Sequence, residues 1–176
     1  LKGFNLEEHF RRLVPIPMTV GNDMDFLTMG CWAQKHPDAG SLVTLFMGGN
    51  GIGGGMVING RLWTGASGYC SEVGFLPVYE RLNKGSLGLP PAEHISELYA
   101  RLIQIYAVTV NPHMMVLYRH PLLEGRLDEI RRLCASYLPS KAIPSIELSY
   151  DYQQDYEKGL FTVAKSLEQA VSEGGL

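Results

Sequence analysis

Apolar residues recur along this chain in two rhythms, one at helical and one at strand spacing, and the switches between them mark its elements. Asn5-Leu-Glu-Glu-His-Phe-Arg-Arg-Leu13 begins with a capping residue, carries acids in its first turn and bases in its last, and is predicted to be a short helix ended by Pro15 and Pro17. Ile16 to Val20 reads as a short strand running into Gly21-Asn22-Asp23, after which Met24 to Gln34 has apolar residues at helical spacing. Three strands follow as a meander, near 42–47, 55–59 and 61–64, with Asn59-Gly60 as the hairpin signal between the last two. Leu76 to Pro91 is rich in Gly and Pro and is predicted to be looped. Ala92 to Val108 is the strongest helix, with Ile95, Leu98, Leu102, Ile105 and Tyr106 on one face, and Asn111-Pro112 stops it. Met114 to Tyr118 then reads as a buried strand, Leu122 to Leu138 as an amphipathic helix, Pro144 to Tyr150 as a last strand and Tyr156 to Val171 as a last helix. This order predicts an α/β layer on a mixed sheet, a three-strand meander followed by alternating helices and strands, without internal repeats.

Composition narrows the function classes. At 176 residues and 45% hydrophobic content the chain suits one well-packed domain. A net charge of −3 without any Lys/Arg cluster excludes nucleic-acid binding by this chain, so DNA contact would need a part outside it. Cys31, Cys70 and Cys134 form no Cys-x-x-Cys pair and suit buried thiols in a reducing, cytoplasmic compartment. His9, His36, His94, His113 and His120 show no metal-ligand spacing. No apolar run reaches membrane length, and the opening Leu1-Lys-Gly suggests a piece of a longer protein.

The candidate chemistry lies first in Gly48 to Gly55, where six of eight residues are glycine. Gly49, Gly51 and Gly54 fit the dinucleotide fingerprint, but that motif must open a helix, and Met56-Val-Ile-Asn-Gly-Arg-Leu-Trp63 is a hairpin pattern instead. No Gly-Lys-Ser/Thr follows, so a P-loop is excluded as well. What remains is a glycine-rich turn between antiparallel strands whose backbone N–H groups can cradle an anion, or a hairpin without a ligand.

Three segments in register carry a resemblance: Ile16-Pro-Met-Thr-Val-Gly-Asn-Asp23, Gly49-Asn-Gly-Ile-Gly-Gly-Gly-Met-Val-Ile-Asn-Gly60 and Gly65-Ala-Ser-Gly-Tyr-Cys-Ser-Glu-Val-Gly74. With Asn111-Pro112 and the Met/Val strand after it, they resemble the second lobe of the ROK family, bacterial sugar kinases and sugar-responsive repressors on the actin-like, ribonuclease-H-like fold. The resemblance implies that residues 1–176 are a single C-terminal lobe, with 1–14 a remnant helix at the boundary between lobes. It implies sugar contacts by Asn22, Asp23 and Glu72, a phosphate loop of Gly49, Asn50, Gly51 and Gly53, and, in the kinases, Asp23 as the base. By residue type alone Asp23 also fits a helix N-cap and Glu72 a solvated loop acid, while Trp32 and Trp63 fit core or interface positions.

The chain also departs from that family. Its first-lobe motif Asp-x-Gly-Gly-Thr is absent, Asn50 stands for Thr in the loop, and Gly21 stands for the Glu before Asn-Asp. Phe75 replaces the His that touches sugar and zinc, and no Cys-x-Cys-Gly cluster follows, so zinc is expected to be absent. Tyr118-Arg119 replaces the Gly-Gly beside adenosine and is expected to crowd a nucleotide. These departures point to the effector-sensing lobe of a sugar-responsive transcriptional regulator or other non-catalytic member, binding a monosaccharide or sugar phosphate, as a homodimer without membrane contact. The alternative is half of an ATP-dependent hexose or N-acetylhexosamine kinase, using ATP and magnesium, whose other lobe supplies the second phosphate loop; a third is a lobe kept only for dimerisation. This chain alone is expected not to phosphorylate sugar, and the full-length protein to do so poorly or not at all, because in-line transfer needs phosphate-binding groups on both sides of the cleft and Tyr118-Arg119 encroaches on one of them.

Overall fold

The computed structural model describes residues 4–14, 16–49, 51–78 and 91–172. Within them the elements run α1 (Leu6–Arg11), α2 (Asp23–Lys35), β1 (Ser41–Gly48), β2 (Gly51–Ile58), β3 (Arg61–Leu62), α3 (Ile95–Thr109), β4 (Met114–Tyr118), α4 (Leu127–Tyr137), β5 (Ser145–Ser149) and α5 (Tyr152–Ser172). The sheet has the order β3-β2-β1-β4-β5, antiparallel across β3, β2 and β1 and parallel across β1, β4 and β5.

The period of two along the central strands splits the core into two layers. Val43, Leu45 and Met47 of β1 and Met115 and Leu117 of β4 pack with Leu98, Leu102, Ile103 and Tyr106 of α3 and Ile130 and Cys134 of α4. Leu42 of β1 and Val116 and Tyr118 of β4 point the other way, onto Met24, Leu27 and Cys31 of α2. Strands covered on both faces read as near-continuous apolar runs, which is the pattern of β1 and β4.

On the second face α5 crosses α2 with backbone against backbone. A Cβ on Gly30 would overlap the carbonyl oxygen of Asp155, and one on Gly159 would overlap that of Phe26. Beside this crossing the fully buried Asp155 accepts hydrogen bonds from Lys35 Nζ and the Tyr118 hydroxyl, each at 2.7 Å. Burial works against the Lys35 charge, but hydrogen bonds to Asp155 and Asp151 more than offset it and hold its pKa above the ordinary lysine value. The Tyr118 phenol is pushed upward, by burial first and then by Cys31 and Asp155. Its pair with Asp155 is therefore a neutral donor on a carboxylate.

Four segments differ from the sequence reading. Ile16 to Val20 forms no strand, because a strand exists only against a neighbour and no described strand pairs with it; Ile16 and Val20 stay exposed. β2 starts at Gly51 rather than near 55, so Gly53, Gly54 and Gly55 are strand residues opposite Phe46, Leu45 and Thr44. Low strand propensity makes this stretch read as a turn, but close neighbours on both faces demand glycine. A Cβ on Gly53 would meet Met24 at 2.9 Å, one on Gly54 the Ser71 carbonyl oxygen at 2.9 Å, and one on Gly55 would overlap Thr28 Oγ1. The helix expected from Leu122 begins a turn later, at Leu127, because Gly125 adopts φ +70° after a 3-10 turn at Pro121–Leu123. α5 conversely begins at Tyr152, a turn earlier than its apolar pattern.

Asn59 and Gly60, at φ 51° and 74°, make the predicted two-residue hairpin turn. Asn5 caps α1, its side chain accepting from Glu8 N at 3.0 Å, and α1 buries none of its residues. The expected loop over 76–91 lies outside the described residues from 79 to 90. No helix among the described residues is long and apolar enough to cross a membrane. Cys31 and Cys134 are buried free thiols, and Cys70 is a half-buried one.

Gly159→Ala is expected to destabilise the chain by on the order of 3 kcal/mol, because the new methyl meets backbone that cannot rotate away; urea unfolding measures the change. Lys35→Met is expected to cost on the order of 3 kcal/mol by leaving the Asp155 carboxylate buried without its counter-charge, read by the same measurement.

Candidate functional site

The residues singled out in the sequence meet where the C-terminal end of β1, the start of β2 and the N-terminus of α2 come together. A cavity of about 420 Å³ opens there, lined by Asp23 and Met24 of α2, Phe46 and Gly48 of β1, Gly49, Gly51, Ile52 and Gly53, and Glu72, Gly74 and Phe75. Asp23 and Glu72, 49 positions apart in the chain (72 − 23), thus share one cleft with the glycine turn.

Asn22 and Asp23 divide two tasks between them. Asn22 is the N-cap of α2, its Oδ1 accepting from Met24 N at 2.8 Å, while Asp23 is the first helical residue and also accepts from Met24 N, at 2.9 Å. The capping role open to Asp23 in the sequence is therefore filled by Asn22, leaving the exposed Asp23 carboxylate at the cleft. Asn22 does not line the cavity; its Oδ1 is engaged, and its amide N–H₂ is the group left to face a ligand.

Glu72 precedes a 3-10 turn at Val73–Phe75 and is exposed. A third carboxylate, missed in the sequence reading, feels both charges without lining the cavity: the Asp25 pKa is raised above its ordinary 3.8 by burial, then by the charges of Asp23 and Glu72. Its position two residues after Asp23 was visible, but that a loop acid from position 72 reaches the same helix end was not.

Gly49 is exposed, with nothing within 4 Å of where its Cβ would stand, and Gly51 has φ 129°. The turn is consequently open to a ligand at Gly49, whereas Gly53 belongs to the β1–β2 ladder and abuts Met24. Asn50 lies outside the described residues. Phe46 forms one wall, its ring 4.5 Å from that of Tyr152, and Phe75, 78% exposed, forms the rim.

Tyr118 and Arg119, expected to crowd a nucleotide, do not line this cleft. Tyr118 is turned into the core under α5, and Arg119 is paired with Glu124 at 2.5 Å and lies over Tyr150. The β4–β5 register, which draws Tyr118 beneath Asp155, moves the aromatic ring out of the way. Trp32 donates from Nε1 to the Ala39 carbonyl and packs beside the α2 core, while Trp63 is exposed. Among the described residues no three His, Cys, Asp or Glu side chains converge as a metal site.

With this geometry in view, the comparisons with known proteins are informative. A glucokinase of Halalkalibacterium halodurans is 29% identical over 77 residues, which are 44% of this chain and 23% of the glucokinase. Among solved structures, a Listeria monocytogenes protein proposed to be an N-acetylmannosamine kinase superposes with a TM-score of 0.72 at 18% identity, over 94% of this chain and 71% of its own. A ROK family protein from Streptococcus pneumoniae, solved in complex with sucrose, superposes with a TM-score of 0.69 at 17% identity, over 95% of this chain and 72% of its own. These neighbours show the actin-like ATPase fold in this chain. A sequence model of the ROK family matches residues 1–90, just over half of the chain and including Asn22, Asp23, the glycine turn and Glu72. The chain belongs to the ROK family.

Proposed function

We propose that this chain forms the sugar-binding side of the active-site cleft of an ATP-dependent sugar kinase, acting on a hexose or N-acetylhexosamine. The observation that carries the reading is that Asp23, Glu72 and the open glycine turn face one cavity large enough for a monosaccharide and the end of a nucleotide. Glu72 and the Asn22 amide take hydroxyls of the sugar. Asp23 accepts the proton of the attacking hydroxyl while its oxygen bonds to the terminal phosphorus of ATP, the bond from that phosphorus to the bridging oxygen breaks, and ADP leaves. Gly49 and Gly51 offer backbone N–H groups toward the phosphates. In such reactions magnesium is held largely by phosphate oxygens and water, so it requires no dedicated cluster of protein ligands.

The kinase reading is preferred to the sensing one for two reasons. The relatives that carry an activity in their names are kinases, and Tyr118, one of the two residues that counted against a nucleotide, is buried away from the cleft. Phosphate-binding groups opposite the glycine turn are assigned to a part of the protein outside this chain.

The test is a coupled ATP-to-ADP assay on the full-length protein with glucose, N-acetylglucosamine and N-acetylmannosamine. Turnover of at least one sugar is expected, with Asp23→Asn lowering kcat by about 10²-fold or more and Glu72→Gln raising KM by roughly tenfold. A sugar-dependent rise in melting temperature without turnover, lost in Asp23→Asn, would replace this reading with the sensing one.

Half-burying the Asp25 carboxylate, and placing it near the charges of Asp23 and Glu72, lowers stability at neutral pH. A folded-state pKa raised above 3.8 for Asp25 means that the folded chain binds its proton more tightly than the unfolded chain. The contribution of Asp25 to stability is therefore greatest below 3.8 and is lost as pH rises through the raised value. Asp25→Asn is expected to raise the melting temperature at pH 7 by about 1–3 °C, a gain that closes on acidification to about pH 3.5.

A further inference from the structure

We propose that Phe75 and Tyr69 form an aromatic platform that carries a second pyranose ring, so that the cleft takes a glycosidically linked sugar, a disaccharide or longer, rather than a monosaccharide alone. The inference rests on the reading of Asp23 and Glu72 as sugar ligands and narrows the substrate class of that site.

The platform is built on the same turns that carry Glu72. Glu72 N donates to the Tyr69 carbonyl oxygen at 3.4 Å and Phe75 N to the Glu72 carbonyl oxygen at 3.2 Å, so backbone hydrogen bonds tie the three residues in series. Val73, 1% exposed, roots the segment in the core. The Tyr69 and Phe75 rings lie 6.3 Å apart between centroids and are inclined at 59°. They therefore meet without stacking, and each keeps a face for a ligand.

Phe75 is 78% and Tyr69 69% exposed, the two highest values among the large hydrophobic residues described. Single exposed apolar side chains are ordinary, but two neighbouring rings at the mouth of a polar cleft form a patch of the kind that marks a binding surface. A pyranose presents hydroxyls around its edge and C–H groups on its faces. Carboxylates suit the edge and an aromatic ring suits the face, the usual division of labour in a small-molecule site. Phe75 lines the cavity that holds Asp23 and Glu72, whereas Tyr69 lies outside it. The aromatic surface thus begins in the cleft and continues past its mouth. A single sugar held against Asp23 for phosphoryl transfer leaves Tyr69 bare, while a ring linked to that sugar covers both aromatics. The neighbouring carboxylates disfavour an anionic extension, so the ring that fits is a neutral one.

The test is calorimetric binding of glucose, maltose and cellobiose to the full-length protein, for wild type, Phe75→Tyr, Phe75→Leu, Tyr69→Ala and Glu72→Ala. Wild type is expected to bind at least one of the disaccharides about 5–20-fold more tightly than glucose. Phe75→Leu, which keeps an apolar side chain but no ring, and Tyr69→Ala are expected to bring that ratio to within about twofold of one, while Phe75→Tyr keeps it. In turnover, the ratio of kcat/KM values for disaccharide and glucose is expected to fall in the same variants. A wild type that binds glucose as tightly as both disaccharides, or a preference that survives in Phe75→Leu, overturns the inference and leaves the sugar site standing. No binding of any of the three sugars by wild type, or none lost in Glu72→Ala, overturns the site and the inference together.

Discussion

The contact on which the rest of the structure depends is the crossing of α2 by α5, where Gly30 and Gly159 let two helix backbones touch. The helices approach so closely that neither position admits a methyl group, and the approach brings Asp155 within reach of both Lys35 and Tyr118. A buried carboxylate is costly unless its hydrogen bonds and counter-charge are in place, so this polar knot forms only when the helices and β4 dock in one register. That register fixes α2 along its axis. It also presses Met24 and Thr28 against the glycines of β2, Thr28 Oγ1 meeting Thr44 Oγ1 at 2.5 Å in the core.

Fixing α2 places its N-terminus at the glycine turn, and the cleft follows from that placement. Acids in the first turn of a helix are favoured by its dipole, which partly offsets the repulsion between Asp23, Asp25 and Glu72. The Asp25 pKa is raised by burial first and by the charges of Asp23 and Glu72 after it. Strain gathers at the same place, since Ser71 is held at positive φ directly before Glu72. Asp23 and Glu72 thus share the cleft, with the half-buried carboxylate of Asp25 and the strained Ser71 each adjacent in sequence to a lining residue.

Membership of the ROK family leaves open which of its activities this chain serves, and the departures from the family pattern carry unequal weight once placed in space. Phe75 stands on the rim of the cleft, where it removes a possible metal ligand and adds an apolar surface. Tyr118 looked like an obstacle to nucleotide but is a structural residue, its hydroxyl donating to Asp155 and its ring covered by Tyr152 and Phe46. Of the two changed residues, Tyr118 thus shapes the core on the α2 side, while Arg119 is exposed and paired with Glu124.

The sequence by itself determined the α/β class, the helices at α2 and α3, the hairpin at Asn59-Gly60 and the identity of β1 and β4, because periodicity and turn chemistry are local and each is repeated over many residues. It also singled out Asn22, Asp23, Glu72 and the glycine turn, through spacing that resembles a family. It misread Ile16 to Val20, since whether an apolar run becomes a strand depends on a neighbour that local pattern does not contain. It took Gly53 to Gly55 for a turn, since glycine signals both a reversal and a close approach, and only the packing of Met24, Thr28 and Ser71 distinguishes them. The convergence of Asp23, Asp25 and Glu72 and the inward turn of Tyr118 were decided by tertiary structure alone, because each depends on contacts between residues dozens of positions apart.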